Sequence, residues 1–315
     1  MSLVASIPRK PRALRNGSKV AVFAPASAAD QLDVTAGIAE LRRLGFEFAP
    51  VQLPGPEGYF AAPAGERLEA FLKAVRDHQI GGLVALRGGY GATYLLDSGL
   101  SAQLDEPKCV IGFSDLTSLQ VYLWQMAGWV TFHGPMVAAG LNRGADDSHG
   151  YDEHSFLQAV SNVVGNWEID LHGTALVIGE AEGRLLGGCL TLVQTTLGTP
   201  WELDTDGSIL VLEDRGIRPY QLDRALMHLK QAGKLRGVKG FVLGEFPDSE
   251  PTLKGSPGVL DVLQRILRPL NVPIVFGAAI GHTERPMLTL PLGVRVRLSA
   301  TGEGRLTILE PAVMQ

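Results

Sequence analysis

The chain has 315 residues, of which 45% are hydrophobic and 19% are charged, and its 28 basic and 33 acidic side chains leave a net charge of −5. This length allows two domains that each bury a core, and the composition is that of an ordinary soluble globular protein. Basic residues cluster only in the short tail 9–15, which argues against a nucleic-acid partner.

The N-terminal segment and the cysteines indicate the compartment. Residues 1–8 lack a basic region ahead of their few apolar side chains, so we expect no signal peptide. No apolar run approaches the ~20 residues that cross a bilayer, so we expect no membrane partner. Cys109 and Cys189 lie in apolar surroundings without a C-x-x-C spacing, which disfavours a disulfide framework and a zinc site. We therefore predict a reduced, cytoplasmic protein.

Short apolar runs alternate with segments of helical period through the first half of the chain. The pattern predicts strands at 19–24, 47–53, 83–86, 109–113 and 129–132, and helices at about 31–44, 66–77 and 116–126. Strands separated by helices indicate a parallel sheet covered on both faces. Ligands of such sheets bind beyond the carboxyl ends of the strands, where segments 87–91, 112–114 and 133–135 fall.

A polar stretch over 141–154, followed by a short helical segment to about 164, indicates a linker. The second half has more strand and more glycine, with strands predicted at 167–171, 176–178, 209–212, 239–243, 273–276, 294–298 and 306–309, and helices at 219–232 and 259–267. We predict an α/β nucleophile domain over residues 1–165, including the linker, and a β-rich α+β domain over 166–315.

Ser114 stands at the turn between the predicted strand 109–113 and the predicted helix 116–126. Such a turn lifts a serine hydroxyl out of the sheet, and the N–H groups that open the helix can stabilise an oxyanion. Leu116 occupies the place of the second glycine in the G-x-S-x-G pattern. Because Ser114 or Asp115 would also suit a helix cap, the nucleophile and capping interpretations both stand on local sequence.

The glycine-rich segment 87–91 lies at another predicted strand end. It lacks both the G-x-G-x-x-G spacing and the Lys-Ser/Thr of a P-loop, so a nucleotide site is disfavoured. A loop of backbone donors, or a tight turn, fits the segment better.

A serine nucleophile needs a general base, because its free hydroxyl is almost un-ionised at neutral pH. His282 closes the apolar stretch 274–281 and opens a polar turn, a position where scaffolds place catalytic groups. His133, at a strand end in the same half as Ser114, is a rival. A metal-dependent amidase using His133, Asp152 and His154 lacks the H-E-x-x-H spacing.

The base needs an orienting acceptor, and Glu213 ends the apolar run 209–212. A carboxylate there is costly to bury unless it is paired, and an imidazole N–H would offset that cost and fix the tautomer. Pairing with Arg215 or Arg218 is the other interpretation, and Asp214 is a second candidate acceptor.

A series of short motifs runs through nearly the whole chain in a fixed order: Leu86-Arg87-Gly88-Gly89-Tyr90-Gly91, Gly112-Phe113-Ser114-Asp115, Phe132-His133-Gly134-Pro135, Gly187-Gly188-Cys189-Leu190, Leu197-Gly198-Thr199-Pro200-Trp201, Leu212-Glu213-Asp214, Pro219-Tyr220, Asp223-Arg224, Gly281-His282 and Leu290-Pro291-Leu292-Gly293. Together they resemble the LD-carboxypeptidase family of serine peptidases, which also includes the microcin C self-immunity peptidases. The resemblance implies Ser114 as nucleophile, His282 as base and Glu213 as its orienting acceptor. It also implies an oxyanion hole from the backbone N–H groups of Asp115 and Gly89.

The resemblance further implies a flavodoxin-like or class I glutamine amidotransferase-like N-terminal domain, a smaller β-rich C-terminal domain and a homodimer. We predict no metal and no cofactor. It implies hydrolysis of the amide between an L-configured diamino-acid centre and the terminal D-alanine of murein tetrapeptides during peptidoglycan recycling. Arg87, Gly88 and Trp201 are predicted to contact substrate, with Arg87 or Arg224 as candidates for binding the D-alanine carboxylate. The alternatives are a microcin C-type peptidase that cleaves a peptidyl-nucleotide amide, and a non-catalytic protein that binds a small ligand. The short link from 198–201 to 209 offers no obvious nucleotide-recognition loop, which favours the murein enzyme.

Overall fold

A computed structural model describes residues 7–49, 55–96, 100–251, 253 and 255–315. In chain order its strands are β1 (Lys19–Phe23), β2 (Glu47–Ala49), β3 (Ile80–Ala85), β4 (Cys109–Gly112), β5 (Thr131–His133), β6 (Trp167–Asp170), β7 (Thr174–Val177), β8 (Gly179–Cys189), β9 (Ser208–Glu213), β10 (Gly240–Leu243), β11 (Ile274–Phe276), β12 (Leu290–Leu292), β13 (Arg295–Ala300) and β14 (Arg305–Ile308). Its α-helices are α1 (Gln31–Arg43), α2 (Ala64–Arg76), α3 (Thr117–Ala127), α4 (Glu153–Ser161), α5 (Leu190–Thr195), α6 (Pro219–Gln231) and α7 (Val259–Leu267).

The first sheet has six strands in the order β12-β5-β4-β3-β1-β2. The five strands from the first half pair in parallel, as the alternation of strands and helices predicts. Of the predicted strand 47–53, residues 47–49 are confirmed and residues 50–53 lie outside the described residues. The edge strand β12 comes from the second half and pairs antiparallel with β5. The chain therefore returns to the first sheet near its end, and the domain division at residue 165 stays a prediction.

The second sheet has eight strands in the order β6-β14-β13-β8-β9-β10-β11-β7. Its four central strands, β8 to β11, are parallel, and the strands outside them are antiparallel. On α6, Leu222, Ala225, Leu226 and Leu229 are all buried, as the predicted apolar face requires. The mixed α/β fold with two sheets agrees with the predicted class.

Three of the described strands and α-helices were not predicted from the sequence: β8, α5 and β12. β8 contains four glycines, at positions 179, 183, 187 and 188, which hide the alternation of a strand. The short β12 has Pro291 at its centre, which is tolerated because β12 is an edge strand. Helix α5 has only six residues, too few for a clear periodic signal.

The two sheets share a hydrophobic core. One cluster of buried side chains contains Val20 and Val84 of the first sheet together with Val211 and Val242 of the second. Helix α3, which follows Ser114, also places Val121 and Trp124 in the cluster beneath α6 and α7. This shared packing fixes the first sheet against the second. Within the described ranges, no helix combines the length and apolar character needed to cross a bilayer.

Candidate active site

Ser114 directly follows the first sheet, one residue beyond Phe113 and two beyond the end of β4. Its φ is 60°, in the left-handed region, and it opens a 3-10 turn, Ser114–Leu116, that leads into α3. Such a conformation costs a non-glycine residue on the order of 1 kcal/mol and is typical of functional turns. Neither Ser114 nor Asp115 caps the helix with its side chain, so the capping interpretation is wrong. The Asp115 carboxylate instead accepts a hydrogen bond from the Ala92 N–H at 2.7 Å.

The predicted glycine loop lies against the serine. A Cβ added to Gly88 would lie 2.8 Å from Ser114 Oγ, so only glycine fits beside the hydroxyl in this arrangement. Gly89 has a φ of 109° and packs on Ser27, whose Oγ accepts the Tyr90 N–H at 3.3 Å. Within the described part of the chain, the N–H groups of Gly89 and Asp115 have no hydrogen-bond acceptor. Both predicted oxyanion donors are therefore available to a ligand.

Glu213 ends β9 and is completely buried, at 0% exposure. Its Oε2 accepts two hydrogen bonds from His282, one from Nδ1 at 2.7 Å and one from the backbone N–H at 2.9 Å. A Cβ on Gly244 would lie 2.6 Å from the Glu213 Cβ, so the neighbouring backbone approaches closely enough to hold the carboxylate in place. The imidazole of His282 is 18% exposed, which leaves it open to a ligand.

The alternative acceptor Asp214 and the alternative partners of Glu213, Arg215 and Arg218, all bind elsewhere. Asp214 accepts hydrogen bonds from the N–H and the hydroxyl of Thr191 at the start of α5, at 2.9 and 2.6 Å. Arg215 pairs with Asp248, and Arg218 donates to the Glu250 carbonyl. The pairing with His282 is therefore specific to Glu213.

The buried pair shifts the protonation of both partners. Burial opposes the negative charge of Glu213, but interactions led by those with His282 outweigh it and hold the pKa of the carboxyl below its ordinary value. Burial likewise opposes the positive charge of His282, but Glu213 outweighs it and raises the pKa of the imidazole. Glu213 is thus an anion at neutral pH, and His282 is a stronger base than a free histidine.

Two contacts join the serine segment to the half of the chain that forms the second sheet. The Phe113 ring packs edge-on against His282 with centroids 5.1 Å apart. Thr117 Oγ1, on α3, accepts the Cys189 N–H at the end of β8 at 3.1 Å. Although both residues are described, no hydrogen bond joins Ser114 Oγ to His282. The structure therefore brings His282, with its partner Glu213, against Phe113, the residue that precedes Ser114 in the chain.

The loop that follows His282 is held by a carboxylate that sequence reasoning missed. Glu245, two residues beyond β10, accepts hydrogen bonds from the Thr283 hydroxyl at 2.7 Å, the Glu284 N–H at 2.8 Å and Arg285 Nε at 2.5 Å. Arg285 also donates to the His172 carbonyl at 2.7 Å and to the Gly277 carbonyl. A carboxylate just after a buried strand was the same signal that singled out Glu213, so Glu245 was recognisable.

The remaining predicted residues lie as follows. Arg87 is exposed and donates to the Ala28 carbonyl at 3.3 Å. Trp201 packs edge-on against Tyr122 at 5.3 Å, and the Arg224 guanidinium lies over the Tyr220 ring at 5.6 Å. None of the three has a hydrogen bond to the Ser114, Glu213 or His282 side chains that the structure describes, so their contacts with substrate stay predictions.

His133, the rival base, is buried at 0% exposure. Its Nε2 lies 3.7 Å from Glu213 Oε1, the carboxylate oxygen that His282 does not use. His133 therefore faces the opposite oxygen of Glu213 from His282 and is closed off from solvent.

Comparison with known proteins places the chain in a family. The models of the LD-carboxypeptidase N-terminal and C-terminal domains match residues 20–134 and 182–298. A probable murein peptide carboxypeptidase of Bacillus subtilis (strain 168) is 34% identical over 304 residues, 95% of this chain and 94% of the relative. The microcin C7 self-immunity protein MccF of Escherichia coli is 25% identical over 335 residues, 94% of each. A crystal structure of muramoyltetrapeptide carboxypeptidase from Oxalobacter formigenes, 29% identical, superposes with a TM-score of 0.80 over 94% of this chain and all of that one. The chain belongs to the LD-carboxypeptidase family.

Proposed function

We propose that the protein is a serine-type murein tetrapeptide LD-carboxypeptidase. It hydrolyses the amide between the L-configured centre of the diamino acid and the terminal D-alanine. The observation that carries the proposal is the His282 imidazole, which is held by a buried carboxylate and packs on Phe113 next to a strained serine. Membership of the family and similarity to proteins named for murein peptides support this substrate class.

The reaction begins with Ser114 Oγ attacking the carbonyl carbon while His282 Nε2 takes the hydroxyl proton. Glu213 keeps the proton of His282 on Nδ1, so that Nε2 is free to act as the base. The N–H groups of Asp115 and Gly89 donate to the oxyanion of the tetrahedral intermediate. His282 then protonates the departing D-alanine, and water hydrolyses the acyl-enzyme by the same steps.

The biological setting is part of the same proposal. A carboxypeptidase of this specificity acts on murein peptides returned to the cytoplasm during peptidoglycan recycling, and the protein works there as a homodimer. Its chemistry uses no metal or cofactor. Activity should accordingly survive a chelator in the standard assay, and loss of activity that Zn²⁺ restores would contradict a metal-free mechanism.

Mass spectrometry of two substrates tests the proposal. Wild type, Ser114→Ala and the control Ser161→Ala, which changes an exposed serine on α4, are each incubated with a murein tetrapeptide and a peptidyl-nucleotide analogue. Wild type and the control should release D-alanine from the tetrapeptide, and Ser114→Ala should lower kcat by about 10⁴-fold or more, which corresponds to at least about 5.4 kcal/mol.

Other outcomes of this experiment point to other functions. Equal turnover by Ser114→Ala would exclude the serine mechanism. Preferential cleavage of the nucleotide analogue would identify a microcin C-type peptidase. Binding of either compound without cleavage by the wild type would identify a non-catalytic binding protein.

A further inference from the structure

Three buried polar atoms that have no hydrogen-bond partner among the described residues lie together behind the proposed active site. They are the two ring nitrogens of His133 and Glu213 Oε1. Both side chains are at 0% exposure, and His133 Nε2 lies 3.7 Å from Glu213 Oε1. A buried polar atom without a partner costs free energy, so a cluster of three calls for a physical reason.

The backbone holds His133 on both sides. It lies opposite Gly112 of β4 and Leu290 of β12, so its strand is paired along both edges. Its ring packs edge-on against the Phe113 ring with centroids 6.1 Å apart. The Phe113 ring also packs against His282, with centroids 5.1 Å apart. The fold therefore fixes this imidazole at a set place relative to both Glu213 and His282.

The carboxylate of Glu213 needs donors at both oxygens to remain charged in a buried site. His282 supplies both donors at Oε2. At Oε1 the facing group is His133, whose pKa is lowered by burial, so that it is neutral and carries one ring proton. With that proton on Nε2, a shift of about half an ångström brings the pair to hydrogen-bond length.

We propose that His133 is a positioning residue that donates its Nε2–H to Glu213 Oε1 and thereby aims Oε2 at His282. This proposal rests on the proposed catalytic roles of Glu213 and His282. His133 acts only through Glu213, because it is closed off from solvent. It shares the carboxylate with His282 and so weakens the pull of Glu213 on the proton of His282.

Loss of this donor should raise the pKa of His282. The other ionisable groups that act on His282 are Asp214, which raises its pKa, and Arg215, which lowers it. The Cys189 thiol lies opposite Glu213 in the β8–β9 pairing and stays neutral, because burial raises its pKa. None of these groups is altered by a substitution at His133, so a shift in the pKa of His282 reports on the His133 donor.

The test compares His133→Gln with His133→Met. Glutamine places an N–H close to the position of Nε2, and methionine has nearly the same shape without a donor. His133→Met should lower kcat about 10- to 100-fold with little change in KM and move the acid limb of kcat/KM to higher pH. In His133→Gln, kcat and the acid limb of kcat/KM should both stay closer to wild type. The control His78→Gln changes a histidine that also faces a glutamate, at 3.0 Å, but is 88% exposed.

A second readout needs no turnover. NMR titration of histidine-labelled protein, with the His282 signal assigned by His282→Gln, gives the pKa of His282 directly. It should be higher in His133→Met than in wild type and near wild type in His133→Gln. This holds even if the tetrapeptide is not the substrate, so failure of the proposed function and failure of this proposal are distinguishable.

Equal values of kcat and of the pKa of His282 in the Gln and Met variants would overturn the proposal. If His133→Met does not fold, as judged by thermal unfolding, His133→Asn replaces it, since its shorter amide reaches only the Nδ1 position. If kcat and the pKa of His282 in His133→Asn equal those in His133→Gln, the proposal is overturned. A lower kcat and a higher pKa of His282 in His133→Asn would support it.

Discussion

The two sheets deliver their groups to the site in different ways. The first sheet places Ser114 through the backbone, with a φ of 60° in a tight turn and a glycine pressed against the hydroxyl. The second sheet places His282 through side-chain hydrogen bonds, in which Glu213 accepts from the ring and Glu245 accepts from the loop that follows. Both sets of groups follow the carboxyl ends of parallel strands.

This difference follows from what each group requires. A serine nucleophile needs one atom in one place, which a constrained turn can supply. A general base needs a set ring orientation and a set tautomer, and a hydrogen bond that the ring donates to a carboxylate fixes both. Substitutions around His282 should therefore act by altering its protonation. Substitutions around Ser114 should act by displacing its hydroxyl oxygen.

The largest effect beyond Ser114 itself should come from Glu213→Gln. The substitution keeps the volume but removes the charge that fixes the His282 tautomer, so kcat should fall by roughly 10³- to 10⁴-fold. Steady-state release of D-alanine measures the loss, and circular dichroism checks the fold. Glu182→Gln is the matched control, since Glu182 is a half-exposed glutamate of β8 that pairs with Arg297 at 2.6 Å. Unchanged activity in Glu213→Gln would remove the orienting role from this residue.

Gly88→Ala should have the next largest effect, on the nucleophile side. Its Cβ would press on Ser114 Oγ and Cβ, displacing the hydroxyl by a fraction of an ångström to an ångström, which should lower kcat by roughly 100-fold. Gly65→Ala, on α2 with open space at the added Cβ, should leave kcat unchanged. Because no charge is altered, the pH profile of the residual activity should keep the wild-type acid limb. A shifted limb would show that the two sides are electrostatically coupled at this position.

Sequence reasoning singled out Ser114, Glu213 and His282 as candidates because each ends or follows an apolar run, and strand ends are readable from local pattern. It placed His133 as a rival base for the same reason. The sequence does not show which face of the strand carries the His133 ring. In the structure this ring is buried behind Glu213. The role of a strand-end residue depends on neighbours that are distant in the sequence.

The same limit explains the missed elements. Strand β8 is held by pairing with β9 and β13, and its glycines allow the backbone of β9 to approach closely. Strand β12 exists because residues 290–292 return to the edge of the first sheet. Neither pairing has a signal within its own segment, whereas the helices with clear apolar faces, such as α6, were predicted almost to their ends.

A smaller effect should follow from Glu245→Gln. The amide can still accept the Thr283 and Glu284 hydrogen bonds, but the ion pair with Arg285 is lost. The loop after His282 should loosen, and kcat/KM should fall by roughly 10-fold, with the Glu182→Gln control unaffected. A loss as large as that of Glu213→Gln would mean that Glu245 contributes to the chemistry itself, since loop positioning alone would not account for it.

The smallest effect is a shift in the pH dependence of kcat/KM. This shift best distinguishes substitutions around His282 from substitutions around Ser114. The proposed mechanism requires neutral His282, and Glu213 raises the pKa of this imidazole, so kcat/KM in wild type should fall as the pH drops through a value above the ordinary ~6.5. Glu213→Gln removes the main cause of the raised pKa and leaves burial, which lowers it, so the residual activity should persist to lower pH. Gly88→Ala should lower kcat/KM without shifting the acid limb of its pH profile. A flat wild-type profile between pH 5 and 8 would exclude histidine as the base, because an essential neutral imidazole must be protonated and lose activity within or near that range.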